Sequence, residues 1–430
     1  APRQRGRVNF DIFCETEKAG PIGPDHEATV LRDTIAQARL ADEMGFGCWW
    51  VVEHHGCPEF SYSSAPEILL AWIASETERI RIGHSGVLAP FRINHPIRVA
   101  ERAAMLDHMS GGRLELGLAR SGGGEWDTFE VKPETTRDQL VEATRMIPRM
   151  WTQESFSWSS PLLTIPERNG VPKPLQRPHP PLWVACSNRD TIKLAARLGI
   201  GALTFAFIDP ADARHWVDEY YETFKRECTP IGRAVNPNIA MVTGFMCHED
   251  SARAVAQGLE GFKFFGFALA HYYLTGTHVP GRLSVWEEFK KAPPFPELPT
   301  GGIGNPDEVR ANLEKFEEVG VDQVVFIQQG GNNRHTDICS SLELFADRVM
   351  PDFTARHAAR ARQKADDLAP YVEKALARMP PLEPMREVPE IDAYPVMMQK
   401  AGVDISQLVP TPGQRLNEAL RGGRKPAGVR

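Results

Sequence analysis

The chain has 430 residues, 42% hydrophobic and 24% charged, with a formal net charge of −7. That is ample material for a core, and the acidic balance argues against nucleic acid or an anionic membrane as the main partner. No apolar run nears the roughly eighteen residues that span a bilayer, and the opening APRQRGRVNF has no signal-peptide apolar segment. Seven cysteines without a C-x-x-C pair suggest reduced thiols, so the expectation is a cytoplasmic protein with no membrane partner.

Strand-like and helical patterns alternate along the chain. Residues 8–14 read as a strand, and 27–44 as a helix with Leu31, Ile35, Ala38 and Ala41 near helical spacing, stopped by Gly45. Strands follow at 48–53, 80–88 and 113–119, separated by helices at 65–75 and 97–109, and a longer helix runs from about 136 to 151. Residues 155–181 break the rhythm with Pro, Ser and aromatics, which suggests a short hairpin and a loop over a barrel rim. Strands five, six and seven fall at 181–187, 201–205 and 238–247, with helices at 190–198 and 209–228. An insertion at 249–300 holds the aromatic run FKFFGFALAHYYLTG and a Pro-rich exit. A helix then starts with Asn305 as N-cap and Pro306 in its first turn and ends at Gly320, before strand eight at 322–331.

This alternation predicts an α/β fold, a (β/α)8 TIM barrel with insertions after strands four and seven (about 152–180 and 249–300). The barrel is expected over 1–352. Residues 353–430 form an extension: one charged helix to about 378, then a Pro-rich, basic tail.

Polar and reactive residues cluster where strands end, which is where such a barrel builds its active site. Glu53-His54-His55 closes strand two. A histidine there suits a general base, a hydrogen-bond donor or a substrate anchor; a rim histidine bonded to backbone is the plainer alternative. His54, His55, His84 and His95 could gather at one end, but no H-x-H, H-E-x-x-H or carboxylate-rich strand end completes a metal set, so none is expected. Arg120 and the glycines 122–124 follow strand four, and Ser187, Asn188 and Thr191 follow strand five in the same register. Arginine, open backbone amides and a helix N-terminus suit a phosphate, although Gly, Ser and Asn are also ordinary turn residues. Ser85-Gly86 on strand three either admits a flat ring or fills a close-packed layer. In the insertion, Phe264, Phe267, Ala268, His271 and Tyr272 recur at helical spacing, fitting a core-facing helix or a lid over the mouth.

Together these blocks resemble the bacterial luciferase-like, flavin-dependent monooxygenase superfamily. The likeness rests on EHH, NHPIRVAE (94–101), LDHMSGGRLELG (106–117), WVACSN (183–188) with AARLG after it, NPDEV (305–309) and GVDQV before the last strand. It spans residues 8 to about 350 and leaves the tail uncovered. The resemblance implies reduced FMN and O2, a flavin C4a-(hydro)peroxide that transfers one oxygen atom, and a separate NAD(P)H-dependent flavin reductase. It also implies a homodimer or homotetramer. By position, His54 and His55 match the active-site histidines, Arg120 and Ser187 the phosphate-binding pair, Ser85-Gly86 a site that can carry a non-prolyl cis peptide beneath the ring, and 249–300 the variable loop. Ala119 stands where luciferase has a reactive cysteine, which weakens light emission as a reading. Phe10, Trp126, Phe205, Phe245, His271 and Tyr272 point to a small apolar or aromatic organic substrate. A branch that transfers hydride with the deazaflavin F420 shares the fold, and a non-catalytic flavin-binding accessory subunit is a further alternative. Retention of His54, His55 and Arg120 speaks against the latter.

Overall fold

The computed structural model describes residues 9–205, 207–293, 300–379 and 392–404. Twelve strands follow in chain order: β1 (Asn9–Cys14), β2 (Cys48–Val51), β3 (Arg81–Leu88), β4 (Leu114–Ala119), β5 (Ser155–Ser159), β6 (Thr164–Asn169), β7 (Leu182–Cys186), β8 (Gly201–Thr204), β9 (Ile239–Gly244), β10 (Met246–Cys247), β11 (Ile303–Gly304) and β12 (Gln323–Ile327). Eight of them, in the order β1-β12-β9-β8-β7-β4-β3-β2, close into a parallel barrel ringed by helices. Near-continuous burial along these strands is what a sheet covered on both faces requires. Strand seven of the sequence divides: β9 stays in the barrel, while β10 pairs with β11 outside it.

Successive strand residues face opposite sides, so one set fills the barrel and the other meets the helices. Inside, near the strand N-termini, the rings of Trp50 and Trp183 meet edge to face at 5.5 Å. Each ring takes the space left by a neighbouring glycine, Gly83 for Trp50 and Gly201 for Trp183, where a Cβ would overlap the indole. The indole N–H groups donate to Asp11 Oδ2 (3.0 Å) and Glu115 Oε2 (2.6 Å), and Arg81 pairs with Glu115. Burial pushes the Asp11 carboxyl up to about 7 against the lowering effect of Trp50. These residues form the floor of the barrel.

The segment expected to cover the rim lies at this floor instead. It folds as the β5–β6 hairpin and a following loop. There the Gln176 N–H donates to Asp107 Oδ2 (2.8 Å), its amide donates to Leu114 O at the start of β4 (2.8 Å), and Arg81 at the start of β3 donates to Gln176 Oε1 (3.2 Å). The reason is connectivity: a link from helix to next strand returns to strand N-termini, and only strand-to-helix links reach the mouth.

The mouth is crossed by the long helix Ser251–Tyr273. It seats on β9 and the loop after β12 at close range, since a Cβ on Gly244 would strike the Phe262 ring and one on Gly261 the Gly330 carbonyl. The terminal helix Met350–Ala377 starts three residues before the expected boundary and straps the opposite end. Phe353 packs edge-on to Phe10 at 5.1 Å, Arg356 and Arg360 pair with Glu317, and Lys364 bonds Asp322 Oδ1 (2.6 Å) just before β12. The Pro-rich exit at 294–299 and the expected tail at 380–391 and 405–430 lie outside the described residues; between them a short helix covers Tyr394–Lys400.

Candidate active site

β2 ends at Val51, two residues earlier than its pattern suggests, so Glu53, His54 and His55 sit in the following loop and strand alternation does not divide the histidines. Each is held by its own carboxylates. Buried Glu53 accepts from the Leu88 N–H (3.0 Å) and from Asn94 Nδ2 (2.8 and 2.9 Å), and its Oε1 lies 3.2 Å from His55 Nε2. Burial alone would raise the Glu53 carboxyl, but the His55 contact, His84 and the two donors outweigh it and hold it below the usual range. The His55 ring rests against Phe129 at 4.9 Å.

His54 lies deeper in the mouth, between two other carboxylates. Its Nε2 is 3.4 Å from Glu15 Oε2 and its Nδ1 is 3.3 Å from Glu125 Oε1. Glu15 follows β1; Glu125 comes from the short helix Gly123–Thr128 after β4, where it also accepts from Ser121 Oγ (2.7 Å) and the backbone N–H groups of Gly122 and His55 (both 3.2 Å). Burial opposes charge on the imidazole, but Glu15 and Glu125 outweigh it and raise His54 above the ordinary histidine value. Burial pushes the Glu15 carboxyl up to about 7, opposed by His54. Glu125 is held low, because hydrogen bonds from His54, Ser121 and Tyr273 outweigh its burial.

The lid helix supplies the remaining wall. Phe265 packs on Phe60 at 5.8 Å and on Phe207 at 5.7 Å, and Phe60 lies 5.4 Å from the His54 ring. Tyr273, its last residue, places its hydroxyl 2.5 Å from His54 Nδ1 and 3.0 Å from Glu125 Oε1. The stripe facing the mouth is Phe262, Phe265 and Tyr273, not the one expected from spacing. Phe264 and Phe267 instead pack on Phe289 of the helix Val285–Lys291. His271 lies between Phe267, Tyr272 and His278, and the Tyr272 hydroxyl donates to Pro58 O (2.8 Å).

The barrel wall is only partly buried on the β4–β7–β8 side. Ala119, Ala185 and Phe205 are half-buried there, while Arg120, Ser187 and Asn188 are exposed. Arg120 Nε donates to Thr136 Oγ1 (2.6 Å), and its guanidinium lies over the Trp126 ring at 5.2 Å. Among the described residues no carboxylate pairs with it within 4.0 Å. Phe205 contacts Phe13 across the barrel at 4.8 Å. The N-terminus expected to be open after β7 is self-capped, since the Thr191 N–H and hydroxyl both donate to Asn188 Oδ1 (3.0 and 3.1 Å). The Ser85–Gly86 peptide is cis, at an irregularity in the β3–β4 register. The smallness of Gly86 reflects close strand packing, since a Cβ there would meet Ala119. The Ser85 hydroxyl is buried, with no hydrogen-bond partner among the described residues.

Phe10 does not join this group. It sits near the floor end of β1 on the helix-facing side, boxed by Phe326, Phe345 and Phe353. Phe245 likewise stacks on Phe326 at 4.2 Å, in the core between strands and helices. Sequence reading missed Glu15, Glu125 and Tyr273. A carboxylate directly after a glycine run was a usable signal for Glu125; nothing in the local pattern distinguished Glu15.

A closed (β/α)8 barrel whose mouth holds a carboxylate-flanked histidine under an aromatic helix defines an enzyme-like scaffold, and comparison narrows it. A family model described as luciferase-like monooxygenase matches residues 8–323, and the chain belongs to that family. It is 27% identical over 362 residues to the oxygenase component of a flavin-dependent trigonelline monooxygenase from Acinetobacter baylyi, covering 81% of this chain and 96% of that one. The monooxygenase RslO1 from Streptomyces bottropensis superposes with a TM-score of 0.66 at 25% identity, covering 80% of this chain and 99% of that one. The coenzyme F420-dependent tetrahydromethanopterin reductase of Methanopyrus kandleri shares the fold at 19% identity and a TM-score of 0.59, covering 81% of this chain and 99% of that one. Among the described residues, no helix is long and apolar enough to cross a membrane.

Proposed function

We propose that this protein is the oxygenase component of a two-component monooxygenase, using FMNH2 and O2 to oxygenate a small apolar or aromatic organic compound. The observation that carries the reading is the His54 imidazole, fixed between Glu15 and Glu125 beneath an aromatic helix, with a partly buried wall edged by the exposed Arg120 beside it. The residues present fit a flavin. Arg120 is anchored and stacked yet has no carboxylate partner among the described residues, as a phosphate-binding arginine must be. Small, half-buried Ala119 and Ala185 leave room on the interior side, and the orphaned Ser85 hydroxyl offers a polar contact. Arg120, Ser187 and Asn188 would hold the phosphate end, and Ser85 and Gly86 would lie against the ring.

Bound reduced flavin supplies activation of O2 for transfer of one oxygen atom. The chain's own residues do the rest. Phe60, Phe207, Phe262 and Phe265 exclude water from the mouth. His54, held between Glu15 and Glu125, presents an imidazole able to move a proton to or from a substrate oxygen. Phe13, Phe205 and Trp126 give an apolar wall. An NAD(P)H-dependent flavin reductase supplies FMNH2, in keeping with the naming of the Acinetobacter relative as an oxygenase component. The enzyme is cytoplasmic and a homodimer or homotetramer, for which exposed Ile68, Trp72, Met105 and Met109 on two neighbouring outer helices offer an apolar face. We assign the catalytic barrel to the stretch expected at 1–352, whose described part runs up to the helix Met350–Ala377 that begins the extension.

The test is substrate-dependent O2 consumption with FMN, NADH and a supplied reductase, with 18O2 followed into product. Label in the product is the expected result. Oxygen-independent turnover with reduced F420 would replace this reading with the hydride-transfer one.

A further inference from the structure

The end of the lid helix does more than cover the mouth. A phenol carries one proton, and the Tyr273 hydroxyl donates it to Glu125 Oε1 at 3.0 Å. The 2.5 Å contact with His54 Nδ1 must then run the other way, with the Nδ1–H donating to the phenol oxygen. This fixes the imidazole tautomer and leaves Nε2 facing Glu15. Burial, with Glu125 and Cys57 nearby, keeps the phenol far above its ordinary value, so its proton is in place. The seat for the ring is Gly122: a Cβ there would overlap Tyr273 Cδ1 and Cε1. Gly122 has φ −135° and ψ 175°, extended backbone that any residue adopts, so the glycine answers to space alone.

We propose that Tyr273 is a positioning residue that couples seating of the lid on Gly122 to the orientation and proton inventory of His54. Seated, the phenol relays His54 Nδ1–H to Glu125; displaced, it leaves the imidazole to solvent and to the longer direct contact with Glu125. The inference rests on His54 being the working group of the proposed oxygenase. The titratable groups around His54 are Glu15 after β1, Glu53 on its own loop, Glu125 on the short helix and Tyr273 on the lid, with Cys57 Sγ 3.7 Å behind the phenol.

The experiment reads the imidazoles directly, in the full chain with no flavin added, by NMR of labelled histidine, with the His54 signal assigned by its loss in His54→Gln. In the wild type, a slowly exchanging Nδ1 proton and an ionisation above the ordinary histidine value are expected. Tyr273→Phe removes only the hydroxyl; Gly122→Ala keeps it but blocks the seat. Both are expected to lose the slow proton. Both should also shift the His54 ionisation constant at least about threefold toward the ordinary value, since solvent weakens the pull of Glu15 and Glu125. The His55 signal, fixed by Glu53, is expected to stay put and reports an intact fold. An unchanged His54 in both variants overturns the proposal. A change in Tyr273→Phe alone overturns the coupling to the seat, and a change in Gly122→Ala alone overturns the role of the phenol. These signals need no cofactor, so they stand or fall separately from the oxygen-transfer assay.

Discussion

The floor and the mouth of the barrel are made of the same materials and put them to different use. At the floor, Asp11, Glu115 and Arg81 lock the indoles of Trp50 and Trp183 in place. At the mouth, Glu15 and Glu125 bracket His54, with Tyr273 and Phe60 as the aromatics. At the floor Asp11 and the two indoles are buried, and the carboxylates serve indole and guanidinium N–H groups that keep their protons. The mouth places an imidazole between its carboxylates, which raise it above the ordinary histidine value, and its wall is only partly buried on one side. A carboxylate beside an aromatic ring therefore says little by itself; the titrating partner and the access to solvent separate scaffold from site.

The comparison is tested most severely by removing the imidazole. His54→Ala is expected to lower product formation by roughly 10²–10⁴-fold and divert oxygen to peroxide, whereas His55→Ala costs clearly less; equal losses would erase the distinction between the two histidines. At the floor, Trp183→Ala should destabilise the fold by about 3–5 kcal/mol in denaturant titration while leaving the His54 ionisation in place. Arg120→Ala should weaken FMNH2 binding by about tenfold to a hundredfold, with little change in kcat at saturating flavin; equilibrium binding measures this, and unchanged affinity would remove Arg120 from the site. The floor offers a second test in Asp11, whose folded carboxyl is raised to about 7 from an ordinary 3.8. Its contribution is full below pH 4 and is lost as pH climbs toward 7, because the unfolded chain releases the proton first. Asp11→Asn should flatten that part of the stability profile, by about 4 kcal/mol across the whole window, and a profile unchanged between wild type and variant would count against the raised value.

Much of this was legible in the sequence. Eight strand patterns in order, each ending in polar or glycine residues, gave the barrel and located its working end, and EHH and Arg120 marked two sides of the mouth. Two errors have physical causes. The 155–181 segment reads as a rim cover because its composition is that of a loop, and composition carries no information about which end of the barrel a loop occupies. The lid stripe was placed one step out of phase because aromatics occur on two faces of Ser251–Tyr273, one packing on the Val285–Lys291 helix and the other on the mouth. Glu15 was unreadable since its partner, His54, lies 39 positions away and only barrel closure brings them together. Phe10 looked like a wall residue until the strand's pleat turned it toward Phe345 and Phe353.

The anchoring of the long helix at one end has a mechanical consequence. Phe262 is pinned over Gly244, and Tyr273 lies eleven positions further on, about 16 Å along a helix axis. With Phe262 as fulcrum, a tilt of roughly 10° swings the far tip by about 3 Å, enough to part the phenol from the imidazole. The helix is then a lever arm, and a substitution at its pinned end, well away from the histidine, would be felt at the tip.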